Sequence, residues 1–274
     1  MRKPDCLFRM VIDFHTHVFP EKLAPGALKV LAERAKIDPT TDGTADGLAI
    51  SMMLAGIDIS VTLPVITDPA QFESTNRFAA SLNSRPYISA FGAIHPDCDD
   101  VKGKLKHIKE LGLKGIKIHP DYQDADIDDP RFMHIVDCAN DLGLWTVTHA
   151  GIDVGLPEAM RSTPDKIANM LDAVKPDRFI AAHMGGWKGW DTVLERIAGR
   201  GVYLDTAFCF NGSMEDSVFL ELVRANGPDK ILFATDCPWG PQKEQLEHFM
   251  SIEGLSPEEK DLIAGRNAER ILGM

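Results

Sequence analysis

Short apolar runs alternate along this chain with stretches whose apolar residues recur at helical spacing, and the alternation persists almost to the C-terminus. An opening run around Val11, Ile12 and Phe14, followed by runs over 57–66, 87–94, 113–118, 144–148, 178–182, 202–205 and 230–235, predicts eight strands. Helices are predicted over 44–55, 69–82, 99–111, 130–142, 163–174, 187–198, 213–225, 242–250 and 257–272. Gly56 closes the first of these, and Pro164 and Asp165 open the fifth. The strands are continuously apolar rather than alternating, as in a parallel sheet buried on both faces. Eight βα units in 274 residues have the size and rhythm of a single (β/α)8 TIM barrel, whereas a doubly wound sheet typically needs fewer strands. No linker, repeat or low-complexity tract divides the chain, so residues 1–274 are expected to form one α/β domain. Residues 19–39 interrupt the rhythm with a proline-containing insertion, amphipathic around Leu28, Val30 and Leu31, which reads as a flap over a strand end.

Active sites of this fold sit at the C-terminal rim of the strands, so the residues ending the strands matter most. His15 and His17 end the first strand and, at a period of two, share a face. Two neutral imidazoles side by side are half of a metal site, and a catalytic site needs three or four protein ligands plus an open position. The fourth strand carries Lys117 and His119, the fifth ends in His149, the sixth in His183 and the eighth in Asp236. Singly, His149 and His183 read equally well as core histidines, and Asp236 as a cap of the following turn. Collectively they fit one rim: with His95, six of the nine histidines fall at strand ends on one side, leaving His107, His134 and His248 on helices. Ile116 and Ile118 would face the helices, which aims Lys117 into the barrel, where an unpaired ammonium is costly.

The motifs Asp13-Phe14-His15-Thr16-His17, Gly115-Ile116-Lys117-Ile118-His119-Pro120, Thr148-His149-Ala150-Gly151, Ala182-His183-Met184-Gly185-Gly186 and Thr235-Asp236-Cys237-Pro238-Trp239 together resemble the amidohydrolase superfamily. More narrowly, the set is similar to the amidohydrolase-related branch that includes the aminocarboxymuconate-semialdehyde and hydroxybenzoate-type decarboxylases. The resemblance runs over essentially the whole chain, in order. It implies a divalent metal, zinc first, held by His15, His17, His149 and Asp236. Asp236 would also take a proton from the bound water, whose pKa zinc can bring to about 7. In binuclear members a carbamylated lysine bridges two ions, which would make Lys117, His149 and His183 the second ligand set. In mononuclear members His183 would act instead as an acid or base. Those decarboxylases tend to hold a substrate carboxylate with an arginine near the second strand, and here no Lys or Arg occurs between Lys36 and Arg77. Lys117 or Arg161 would have to substitute.

The expected function is therefore hydrolysis of an amide, lactone or ester bond of a small molecule by metal-activated water, with Asp236 and His183 catalytic. The rival is a mononuclear metal-dependent decarboxylase acting on a small carboxylated substrate, and the two differ in needing two ions or one. A barrel that binds metal without turnover is disfavoured, because the ligand set includes the base. Trp187 and Trp239 follow two of the tips as candidate pocket walls, Asp205 as a hydrogen-bond partner of a neighbouring ligand, and Cys237 as packing. The loops 18–40 and 121–129 carry no recognisable chemistry, which leaves the substrate unread.

Composition narrows the partners. The balance of 29 basic against 41 acidic residues gives a net charge of −12, which argues against a general nucleic-acid or anionic-membrane binder. A small-molecule substrate is the expected partner, with a homodimer left open. The five cysteines, Cys6, Cys98, Cys138, Cys209 and Cys237, form no C-x-x-C pair, so neither a disulfide framework nor a cysteine-zinc module is expected and a reducing cytoplasm fits. The basic start Met1-Arg2-Lys3 is followed by Asp5 and Arg9 with no adequate apolar stretch, so no signal peptide or membrane span is expected.

Overall fold

A computed structural model describes residues 10–274. Its strands are β1 (Ile12–Thr16), β2 (Ile59–Thr62), β3 (Ile88–Ala90), β4 (Gly92–Ala93), β5 (Gly115–Ile118), β6 (Trp145–Thr148), β7 (Phe179–Ala181), β8 (Tyr203–Asp205) and β9 (Ile231–Leu232). One ladder runs β1-β2-β3 and a second runs from β4 to β9, and every pairing is parallel. β3 and β4 are halves of the strand predicted over 87–94, divided at Phe91, whose N–H donates to the Thr62 carbonyl at 3.0 Å. The two edges of the sheet also meet: Phe14 N donates to Phe233 O at 2.9 Å and Asp236 N to His15 O at 2.9 Å. The fold is the expected TIM barrel.

The helices are α1 (Ala24–Ala35), α2 (Ala45–Ala55), α3 (Phe72–Leu82), α4 (Val101–Glu110), α5 (Pro130–Asp141), α6 (Pro164–Val174), α7 (Trp190–Arg196), α8 (Asp216–Asn226), α9 (Gln242–Ser251), α10 (Pro257–Asp261) and α11 (Asn267–Leu272). Two differ from expectation. The helix predicted over 187–198 starts late, because residues 183–185 form a tight turn in which His183 and Met184 take φ of 55° and 52°. The helix predicted over 257–272 is broken by a wide π turn, Leu262–Arg266, where Gly265 lies so close to Met10 that an added Cβ would sit 2.1 Å from its carbonyl oxygen.

Apolar packing forms two layers. Ile12, Phe14, Val61, Phe91, Val147 and Ile180 belong to a cluster inside the barrel, while Ile116, Ile118, Ile135 and Ile167 pack between strands and helices. Lys117 is level with Val147 across the β5/β6 ladder, and Val147 with Ile180 across β6/β7, so its side chain points inward with theirs. The insertion between β1 and α2 leaves and rejoins the barrel at a neck, with Phe19 N donating to Gly43 O at 2.8 Å and Thr40 N to Pro238 O at 2.7 Å. α1, within it, buries Ala24 and Leu28 but shares no extended interface with another helix or strand. No helix among the described residues is long and apolar enough to cross a membrane. Cys98, Cys138, Cys209 and Cys237 are buried free thiols, and Cys6 lies outside the described residues.

Candidate metal centre

His15 and His17 come off the end of β1, and Asp236 off the segment after β9, at the seam where the barrel closes. His17 Nε2 lies 3.0 Å and His15 Nε2 3.6 Å from Asp236 Oδ1. The three donor atoms all fall within 4.8 Å of one another, close enough to share one ion. Hydrogen bonds behind the rings orient both imidazoles. His17 Nδ1 donates to the Leu63 carbonyl at 2.7 Å, and His15 Nδ1 meets Asp205 Oδ2 at 2.9 Å, so each ring's proton points away from the centre and its Nε2 lone pair towards it. Asp205 itself is fixed by the N–H groups of His183 and Ala207, at 2.9 and 3.0 Å. Burial and the nearby Lys117 cation push His15 well below the usual imidazole range, which keeps it neutral and ready to ligate. Burial alone would raise Asp236, but the His17 and His15 imidazoles packed against it hold it below the ordinary carboxylate value. Neutral imidazoles and an ionised carboxylate are the species a divalent ion needs, so these residues fit one.

His149 stands apart from this trio. Its Nδ1 faces His183 Nε2 at 3.0 Å, its Nε2 is 3.8 Å from Asp121 Oδ2, and its ring stacks on His119 at 4.1 Å between centroids. His183 Nδ1 donates to the Ala207 carbonyl at 2.9 Å, so its Nε2 is the free nitrogen. With its proton on Nδ1, His149 donates to His183 Nε2 and leaves its own Nε2 without a partner; with the proton on Nε2, two lone pairs face each other 3.0 Å apart, which a cation between them would relieve. Lys117, 1% exposed, brings Nζ to 3.2 Å from His15 Nε2. Burial lowers its pKa to about 8, against the opposing pull of Asp205 and Asp236. His119 Nε2 lies 3.4 Å from Asp153 Oδ2, and these two with His149 form a second group of potential ligands.

His15, His17, Lys117, His149, His183 and Asp236 thus all line one cavity, of about 510 Å³, together with Trp187 and Trp239. Other candidates lie elsewhere. His95 Nδ1 accepts from Asp97 N at 3.1 Å and is not part of the lining, and Arg161, a candidate carboxylate holder by sequence, is tied outside it by Asp124 and Asp126. Burial pushes the Cys237 thiol up to about 12, consistent with packing alone.

The amidohydrolase family pattern matches residues 12–274. The chain belongs to the amidohydrolase family. No curated protein sequence matches it. Solved structures do. An uncharacterised TIM-barrel protein from Bordetella bronchiseptica is 19% identical, with a TM-score of 0.78 over 96% of this chain and 98% of that one. A 2,6-dihydroxybenzoate decarboxylase from Rhizobium is 17% identical, with a TM-score of 0.71 over 97% of this chain and 99% of that one. A 5-carboxyvanillate decarboxylase from Novosphingobium aromaticivorans, solved with manganese and a nitrobenzoic acid, is 14% identical, with a TM-score of 0.71 over 97% and 96%. At these identities the likeness establishes the fold. In this amidohydrolase, Asp121, Tyr122 and Asp153 escape a reading of the sequence alone, because each sits in a loop after a strand tip. Their one signal is spacing: Asp121 and Asp153 follow His119 and His149 by two and four residues.

Proposed function

We propose that this amidohydrolase-family enzyme is a metal-dependent decarboxylase of a small carboxylated substrate, with His15, His17 and Asp236 as its metal ligands. The position of Lys117 carries the reading. It is the only lysine or arginine among the described residues that lines the cavity, and it stands at the floor beside His15. A buried ammonium is relieved by a carboxylate, and the one open place to bring that carboxylate is against the metal ligands. A divalent ion in the trio would supply Lewis acidity towards an oxygen substituent of the substrate. Lys117 holds the carboxylate that is to be lost. His183, its Nδ1–H committed to Ala207, would take up a second proton at Nε2 and, as the imidazolium, give that proton to the substrate carbon, returning to the neutral ring. The C–H bond forms from a π pair of the substrate, the bond to the carboxylate carbon then breaks, its electron pair refills the π system, and carbon dioxide leaves. Two imidazoles with one carboxylate suit zinc, and the manganese of the Novosphingobium decarboxylase makes that ion its competitor.

One observation favours a second reading, hydrolysis of an amide, lactone or ester at two ions. The facing nitrogens of His149 and His183 are a seat for a second cation, which a carbamylated Lys117 would bridge to the first. The test is a panel of hydroxybenzoates and naphthoates beside a panel of esters, lactones and amides, assayed with zinc- or manganese-loaded protein of measured metal content. Carbon dioxide release at one ion per chain, lost about 100-fold in Lys117→Met without loss of that ion, is the expected result. Ester or lactone cleavage without carbon dioxide release, at two ions per chain and with Lys117 heavier by one carbon dioxide, overturns it for the hydrolase.

A further inference from the structure

The cavity is charged only at its floor. Beyond Lys117, Asp153, Asp236 and the histidines, every lining residue is apolar or uncharged. Its upper part is walled by α1 and the residue that precedes it: Leu23, Ala27, Leu31 and Ala35 recur every fourth position and all face the cavity. This stripe faces the cavity, and no other helix or strand runs closely alongside α1. An apolar helix face of that kind is stabilised by whatever apolar group occupies the cavity. The volume sets the size of that group. A cavity of about 150 Å³ already holds benzene, whereas this one has about 510 Å³.

We infer that the substrate has a neutral hydrophobic body larger than a single ring, seated against the Leu23/Ala27/Leu31/Ala35 face of α1, with its one charged group at the floor. Ala27 and Ala35 leave the recesses that a flat bicyclic body or a long acyl chain enters, and Leu23 and Leu31 close over its edges. A second carboxylate or a phosphate on the distal end is disfavoured, because no lysine or arginine lines the upper cavity and the nearest cation, Arg34 of α1, is laid over the Tyr122 ring, 5.7 Å from its centroid. The inference rests on the decarboxylase reading only for which end of the substrate reacts.

Calorimetric titration of the metal-loaded protein with benzoate, naphthalene-2-carboxylate and naphthalene-2,6-dicarboxylate tests it. The naphthalene monocarboxylate should bind roughly tenfold tighter than benzoate, and the dicarboxylate no tighter than benzoate. Ala27→Trp, a change on a half-buried position of α1, should erase the naphthalene advantage while leaving metal content and benzoate affinity unchanged. Absence of naphthalene-2-carboxylate binding, equal affinity for the one-ring acid, tighter binding of the dicarboxylate, or an advantage that survives Ala27→Trp overturns the inference. Metal content measured on the same samples tells the two failures apart: an unloaded centre counts against the metal reading, and a loaded centre without the preference counts against the hydrophobic body.

Discussion

His17 and Asp236 face each other across the seam where the barrel closes, with His17 Nε2 3.0 Å from Asp236 Oδ1. The same two segments are joined by backbone, His17 N to Cys237 O at 2.7 Å and Asp236 N to His15 O at 2.9 Å. Bringing the candidate metal ligands together and joining the first strand to the last are one structural event. An ion bound there would therefore act on the stability of the entire barrel.

Stripping the protein with a chelator should lower its melting temperature by about 5–10 °C, the shift expected for roughly 3 kcal/mol of binding free energy in a chain of this size. Differential scanning calorimetry, with readdition of zinc or manganese, is the check. Identical melting before and after chelation would mean that no ion is held at the seam.

Asp205 supports the centre from behind, accepting from His15 Nδ1 and from the His183 and Ala207 amides. Asp205→Ala strands three buried donors and should cost about 2–4 kcal/mol in stability, with metal affinity down about 10–100-fold. Urea unfolding and competition with a chromophoric chelator read the two effects separately. Unaltered metal affinity would show that the His15 ring needs no support from behind.

Acid should destabilise the metal-free protein early. Burial holds His15, His119 and His149 well below the ordinary value of 6.5, with added repulsion from Lys117 for His15 and His119 and from His119 for His149. Below pH 6.5 the unfolded chain takes up protons that the folded chain refuses. The stability from these groups is thus complete above about 6.5 and is lost as pH falls, at up to about 4 kcal/mol per pH unit for three sites. Asp13 runs the other way. Burial raises it from 3.8 to about 6, so it favours the fold as pH drops through that range, but one group offsets only about a third of the slope. Urea midpoints between about pH 7.5 and 5.5 should fall steadily, and a flat profile would contradict the neutral, buried imidazoles.

Gly151 fixes the Trp187 wall of the cavity. It has φ +90°, and a Cβ added there would lie 2.0 Å from Trp187 N, with Trp187 N donating to Ala150 O at 2.9 Å beside it. Gly151→Ala should cost about 3 kcal/mol or more, since both the backbone angle and the space are wrong for a side chain. A variant that melts within a degree or two of the parent would show that this turn yields.

The convergence of the rim residues was legible in the sequence because strand period and the barrel rule together place strand tips, and His15, His17 and Asp236 stand at or beside them. The division of labour among the remaining tips was not. Whether His149 joins that trio or turns to His183 depends on ring rotation, which no residue pattern encodes. The insertion shows the limit on another scale. Leu28, Val30 and Leu31 read as one apolar patch, yet Leu28 is buried, Val30 is 55% exposed and Leu31 lines the cavity. At about 100° per residue, three positions so close in sequence span most of the way round a helix, and only the docked orientation tells them apart.

The neck between Phe19 and Gly43 bears on how this protein can change over generations. An excursion whose ends are clasped together can be rewritten, lengthened or traded without disturbing the scaffold that carries it. The α1 wall of the cavity and the floor that carries the candidate ligands are therefore open to separate inheritance.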